Sequence, residues 1–372
     1  MSITVDSRFR DALVPEATIT IRVTADGAPA RLADALRAAG ADIPARYVSR
    51  PVPVPGGQVM IVDLGTSPGE RIREIPDRIA ARLHEAGITD ATIGRAEEIG
   101  DRYRVVQALR PAARAILRGP LGTPLGQAPG GPPYRLRDIA AGWLDRARRS
   151  GVELTSVVMG AEVPVAWADL TGITSAVLDV GGSVALLATD FAGEVVAASV
   201  AGGLGGLTPQ ASLTAAGRGW TRAQVAQAMR GQREMVRANA ADLVWAGVSA
   251  EPDARDVLAP YWAGRGPGAT RPPVEPVADL LVPDVAWHTV LSTGHLDRLG
   301  GPPDGAVALP GGRVEVTIGE PEQWVSGHPD APAVRAAAEA VLGPCLAAPD
   351  VAFELSRQRI ARLRAGGLRT TH

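Results

Sequence analysis

Thr18-Ile19-Thr20-Ile21-Arg22-Val23-Thr24 alternates polar and apolar residues at a period of two, which sets Ile19, Ile21 and Val23 on one face of a half-buried strand. Downstream, Leu32 and Leu36 stand four apart in a predicted helix over Ala30–Ala39 that stops at Gly40. A hairpin follows, Arg46–Val54 and Gln58–Leu64, turning through Pro55-Gly56-Gly57. Ile72, Ile75, Ile79 and Leu83 then repeat at helical spacing within Arg71–Ala86, Gly87 ends that helix, and Ala91–Ala96 closes as a strand.

The order β-α-β-β-α-β predicts a ferredoxin-like unit, an antiparallel sheet with both helices on one face. A looser version of the order is expected further on. It comprises a strand over Glu153–Met159, a short helix over Val163–Leu170, strands near Ala176–Val180, Val184–Thr189 and Glu194–Val200, a helix over Thr221–Asn239 and a strand over Asp242–Val248. Thr221 stands three before Gln224, the spacing of a capping box. A third segment offers a strand at Ala286–Ser292, a short helix at His295–Leu299, a turn at Gly311-Gly312, a strand at Arg313–Ile318, a helix at Ala331–Leu346 and a last helix at Phe353–Arg364.

Pro/Gly-rich stretches at Gly119–Pro133 and Gly264–Pro276 have no hydrophobic period and mark the joints. The fold class expected is therefore α+β, tandem ferredoxin-like (βαββαβ) modules with antiparallel sheets plus a C-terminal α+β segment. The divisions are a first module over 1–100, a helical, Pro/Gly-rich connector over 101–150, a second, irregular module over 151–263, a linker over 264–278 and a C-terminal module with its terminal helix over 279–372.

Composition removes several chemistries. All 38 basic residues are arginine, because the sequence contains no lysine. Walker-type phosphate lysines, pyridoxal Schiff bases and the kinase strand lysine are thereby excluded. GC-rich coding of an actinobacterial type explains the substitution of Arg for Lys. A net charge of -2 gives no broad field for phosphate backbones or anionic lipid, so neither nucleic acid nor a membrane is an expected partner. Cys345 is the single cysteine, in register with Val334, Ala338, Val341 and Leu342, and reads as a core filler. Charge breaks the N-terminal residues before an apolar stretch forms, which predicts a cytoplasmic chain.

Catalytic signals are few. No Gly-x-Ser-x-Gly elbow is present, Ser183 and Ser199 have no local base, and the catalytic residues stay unassigned. His288, His295 and His328 share the third segment with Asp297, Glu315, Glu320 and Glu322, but no histidines stand four apart to anchor a metal, and none is expected. His84 suits a helix C-terminus. Gly202-Gly203-Leu204-Gly205-Gly206 reads as a loop or an anion nest.

Val177-Leu178-Asp179-Val180-Gly181-Gly182-Ser183 resembles the phosphate-binding strand turn of the actin and sugar-kinase class. The resemblance implies Asp179 on Mg²⁺ with Gly181, Gly182 and Ser183 close to phosphate, and an ordinary turn accounts for the same residues. A nucleotide- or cofactor-binding enzyme built on this turn is the alternative reading; the main one assigns no cofactor. Trp287-His288-Thr289-Val290-Leu291-Ser292-Thr293-Gly294-His295-Leu296-Asp297-Arg298-Leu299-Gly300-Gly301, followed by Leu309-Pro310-Gly311-Gly312-Arg313-Val314, resembles the C-terminal part of immunity-type proteins of bacterial polymorphic-toxin and type VI secretion systems. That resemblance implies a non-enzymatic protein that neutralises a toxin.

The main expectation is thus a non-catalytic protein-binding or regulatory protein. Seven tryptophans against three phenylalanines favour interfaces and module junctions. Trp262, Trp324 and the terminal-helix arginines Arg357, Arg359 and Arg362 are the expected partner-binding residues.

Overall fold

A computed structural model describes residues 2–26, 29–96, 112–120, 131–148, 153–158, 161–179, 183–189, 194–201, 209–251 and 277–365. The chain is mixed α+β, its sheets predominantly antiparallel, and it divides into two units, Met1–Asp101 with Thr155–Val180, and Arg102–Leu154 with Gly181–His372.

The first unit runs β1 (Ile3–Val5), α1 (Ser7–Asp11), β2 (Thr18–Ala25), α2 (Pro29–Asp42), β3 (Tyr47–Val48), β4 (Val52–Val54), β5 (Gly57–Asp63), α3 (Gly69–Arg73), α4 (Ile75–Glu85) and β6 (Ala91–Arg95). Its sheet order is β1-β6-β2-β5-β3, with β4 also on β5. Every pairing is antiparallel except β1 beside β6. Ile19, Ile21 and Val23 are buried as the alternation requires, against Leu32 and Leu36 of α2 and Ile75, Ile79 and Leu83 of α4. The helix expected over Arg71–Ala86 is broken in two, because Pro76 at the start of α4 has no N–H for the preceding turn.

The chain continues through β7 (Ala112–Arg118), α5 (Pro132–Arg148), β8 (Glu153–Val158), β9 (Ala161–Val165), α6 (Leu170–Asp179), β10 (Ser183–Thr189), β11 (Glu194–Ala201), β12 (Gln210–Gly217), α7 (Arg222–Ala238), β13 (Trp245–Glu251), β14 (His288–Leu291), α8 (Thr293–Leu299), β15 (Val307–Leu309), β16 (Arg313–Thr317), α9 (Ala331–Leu342) and α10 (Pro349–Ala365). Two expectations are corrected here. The helix at Val163–Leu170 is instead β9 and a 3-10 turn at Trp167–Asp169, since Val163-Pro164-Val165 opposes an α-helix. The strand at Ala176–Val180 is instead the end of α6, whose buried Leu170, Ile173, Thr174, Val177 and Leu178 follow a helical stripe. Within the first unit, α6 packs on β4.

In the second unit the strands lie in the order β15-β16-β14-β13-β7-β12-β11-β10. β7, from the stretch expected as a connector, is an interior strand between β13 and β12. Its alanines speak for helix, but Ala113, Ala115 and Leu117 alternate with Arg114, Ile116 and Arg118, and the alternation prevails. β14 pairs with β13 through Val248 opposite His288, so the third segment extends the sheet of the second.

Helices α5 and α7 contact these strands, and Arg146 of α5 bridges them: its guanidinium lies over the Trp143 ring at 4.6 Å and against Gly231 of α7. Gln232 of α7 is fully buried and donates to the Ala113 and Leu213 carbonyls, each at 3.0 Å. The capping box at Thr221 and Gln224 is formed. Replacing Thr221 by Ala should therefore lower stability by about 1 kcal/mol, read as a shift in urea midpoint, with Thr221→Ser nearly neutral.

Candidate functional site

The terminal helix α10 is held by one side. Val277 and Leu281 are buried with Ala352, and Leu280, Ala347 and Leu355 pack around them. The turn that carries Val277–Leu281 is fixed in turn by the Val282 N–H donating to the Cys345 carbonyl at 2.8 Å and the Ala347 N–H donating to the Val282 carbonyl at 2.9 Å. Arg359 completes the anchor by gripping Asp279 with two hydrogen bonds, at 2.6 and 3.1 Å. Such a bidentate, half-buried pair fixes the rotation of the helix as well as its position.

That rotation decides what faces water. Ala352 and Ser356 are buried, Ile360 is half-buried, and Phe353 and Arg357 are exposed one turn apart. Phe353 keeps 60% of its surface exposed, although phenylalanine is among the residues most often buried. Arg357 reaches back to Glu354 at 2.7 Å, and Gln358 donates to the same carboxylate, which holds Glu354 below the usual carboxylate range. Arg362 is exposed on the far flank, near the exposed Val351 in projection around the helix.

Of the residues expected to bind a partner, Arg357 and Arg362 are thus at the surface and Arg359 is engaged with Asp279. Trp324 is buried at 9% exposure and its indole N–H donates to the Ile318 carbonyl at 2.8 Å, so it stands in the core rather than on a surface. Trp262 lies outside the described residues. Phe353 was the residue missed; a lone Phe among arginines in a terminal helix was the available signal.

The element before the glycine turn differs from the strand expected there. Asp179 ends α6 and Ser183 opens β10, so a helix precedes the turn where the phosphate-binding class requires a strand; Gly181 and Gly182 lie outside the described residues. The glycine cluster at 202–206 also lies outside them.

The histidines are structural in their contacts. Ser292 Oγ and His295 Nδ1 are 2.9 Å apart, the distance of a nucleophile–base pair, but the ring nitrogen also takes the Ser292 N–H at 3.2 Å and both residues form the cap of α8. Burial pushes the His295 imidazole down to about 4. His288 is fully buried beside Thr317, and burial with the nearby Arg233 and Arg237 pushes it down to about 3. Glu315, exposed by only 2%, receives Arg233 at 3.0 Å and Arg237 at 3.2 Å from α7. Its carboxylate is occupied by guanidinium groups, and no cluster of three metal-ligating side chains occurs among the described residues. Burial likewise pushes the Cys345 thiol up to about 11, far from nucleophilic reactivity.

No helix among the described residues is long and apolar enough to cross a membrane. Neither a family model, nor a curated protein, nor a solved structure matches the chain.

Proposed function

We propose that this chain is a non-catalytic, protein-binding regulator that presents the outer face of α10 to a partner protein. The observation that carries the reading is Phe353, 60% exposed on a helix whose other side is locked by Asp279–Arg359. A large apolar ring on a fixed helix face, bordered by arginine, is the composition of an interface hot spot, because the ring fills a pocket while guanidinium groups meet the polar rim. The complementary partner is a protein with an apolar socket edged by carboxylates. The first unit suits a supporting role as a ferredoxin-like module: its four strands β6-β2-β5-β3 are interleaved as in that fold, with α2 and α4 as the connections. The resemblance of the 285–346 segment to immunity-type proteins makes a secreted bacterial toxin the first partner to try.

Tagged full-length chain, recovered from its native host, should retain a protein partner that Phe353→Ala releases and that Arg357→Glu weakens at least as much. Both substitutions should leave circular dichroism and melting temperature unchanged. Loss of roughly tenfold or more in affinity is expected for the phenylalanine, in line with hot-spot truncations. An unchanged complex with Phe353→Ala overturns the reading, and a self-association abolished by the same substitution would replace the foreign partner by a second copy.

A further inference from the structure

Two turns of the first unit meet where β2 begins and β5 ends. Val14-Pro15-Glu16-Ala17 closes with the Ala17 N–H donating to the Val14 carbonyl at 3.3 Å, and Leu64-Gly65-Thr66-Ser67 with the Ser67 N–H donating to the Leu64 carbonyl at 3.2 Å. The Glu16 N–H donates across to the Gly65 carbonyl at 2.6 Å, and the Leu64 N–H to the Ala17 carbonyl at 3.0 Å. Arg46 forms a third wall, its N–H on the Asp63 carbonyl at 2.8 Å. A pocket of about 540 Å³ lies among them, within the range of small-molecule sites.

Glu16 is out of place in its turn. Pro15 fixes the second position, and Glu16 holds the third at φ 64°, where a turn of this kind calls for glycine. Among the described residues no other non-glycine has a positive φ. Glycine would take that angle without strain, so the backbone gives no reason for a glutamate, and strain of this sort gathers at binding sites. Glu16 is exposed, and its carboxylate has no partner among the described residues.

The rest of the wall decides which ligand fits. Arg46 donates to Asp63 through Nε at 3.0 Å and through Nη2, and Asp63 also takes the Gly65 N–H at 3.1 Å. Arg46 and Asp63 thus neutralise each other, which leaves Glu16 as the uncompensated charge of the pocket. Thr66 and Ser67 add hydroxyls that no described residue engages. An anion meets the wrong sign here. A hard divalent metal needs more oxygens than one free carboxylate and two hydroxyls provide. Gly65, at φ 51°, lets the Arg46 stem close in, since a Cβ there would meet the Arg46 Cβ at 3.0 Å. That stem and Ala45 give the pocket an apolar flank.

We propose that this pocket binds a small organic amine, its ammonium group on the Glu16 carboxylate and its remaining N–H donors on the Thr66 and Ser67 oxygens. Charge-assisted hydrogen bonds of this kind are the stronger ones, and the carbon chain of the amine lies along Ala45 and the Arg46 stem. The site shares no residue with the α10 surface, and either proposal stands if the other fails.

The test titrates the full chain with n-butylamine, and separately with its neutral counterpart n-butanol, at constant ionic strength and pH 7. The amine should raise the melting temperature saturably, because a ligand of the native state stabilises it, and butanol should not. Glu16→Gly should melt at or above the parent without amine, since the strained angle is relieved, and should bind the amine roughly tenfold more weakly. Glu16→Gln keeps the shape, removes the charge and should weaken binding to a similar degree. No saturable response to butylamine, an equal response to butanol, or binding that persists unchanged in both variants overturns the site. So does a Glu16→Gly protein that melts clearly lower without amine, because the glutamate would then serve the fold.

Discussion

Glu315→Ala should destabilise the protein by about 3 kcal/mol, among the larger losses expected of a single substitution. The carboxylate is exposed by only 2%, accepts a hydrogen bond from Arg233 and forms an ion pair with Arg237 one turn further along α7. Its removal leaves two guanidinium groups against the sheet, and both retain about a third of their surface, so they can turn partly toward water and the loss stays below that of a fully enclosed pair. Arg230, on the same side of α7, provides the control. Its pair with Glu322 is about equally close, at 2.7 Å, but the two side chains are 42% and 34% exposed. Arg230→Ala should cost less than about 1 kcal/mol. Urea titration separates the two cases, and equal losses would show that burial is not what gives Glu315 its effect.

Acid should weaken the fold well before the carboxylates protonate. His288 and His295 titrate near 6.5 when unfolded but are pushed down to about 3 and about 4 in the folded chain, chiefly by burial. The unfolded state therefore takes up protons first as pH falls, and the folded state loses relative stability from about pH 6.5 downward. Each group contributes a slope of about 1.4 kcal/mol per pH unit in that window, which gives a combined loss of about 4 kcal/mol between pH 7 and pH 5. Above about pH 8 the histidine dependence has vanished, because both are then neutral in either state. His288→Gln should remove about half of the loss, read as the difference between urea midpoints at the two pH values. A loss identical with and without His288 would rule out this origin.

The parts of the fold that were legible in the sequence are those decided by neighbours along the chain. Ile19, Ile21 and Val23 at a period of two, Ile75, Ile79 and Leu83 at helical spacing, and Thr221 before Gln224 each specify their element locally. What escaped reading depends on partners far away. β7 gains its identity from β12 and β13, and Ala112-Ala113-Arg114-Ala115 carries helix propensity until those strands flank it. α6 was hidden because Val177-Leu178-Asp179-Val180 has β-branched residues and a following glycine pair, while the stripe that makes it a helix starts at Leu170. The candidate surface was half legible. Arginines in the last helix could be named, but which of them is tied down depends on Asp279, eighty residues earlier.

The interior position of β7 also fixes an order of events during synthesis. Arg118 leaves the ribosome roughly 90 residues before Gln210 and well over 100 before Trp245, a delay on the order of 5–20 s at ordinary elongation rates. Throughout that interval the strand has no partner on either side. Its two arginines put charge on the open strand, and charge there disfavours pairing with strangers. Side chains that end up buried in the finished sheet are thus exposed charge on this strand until β12 and β13 have been made.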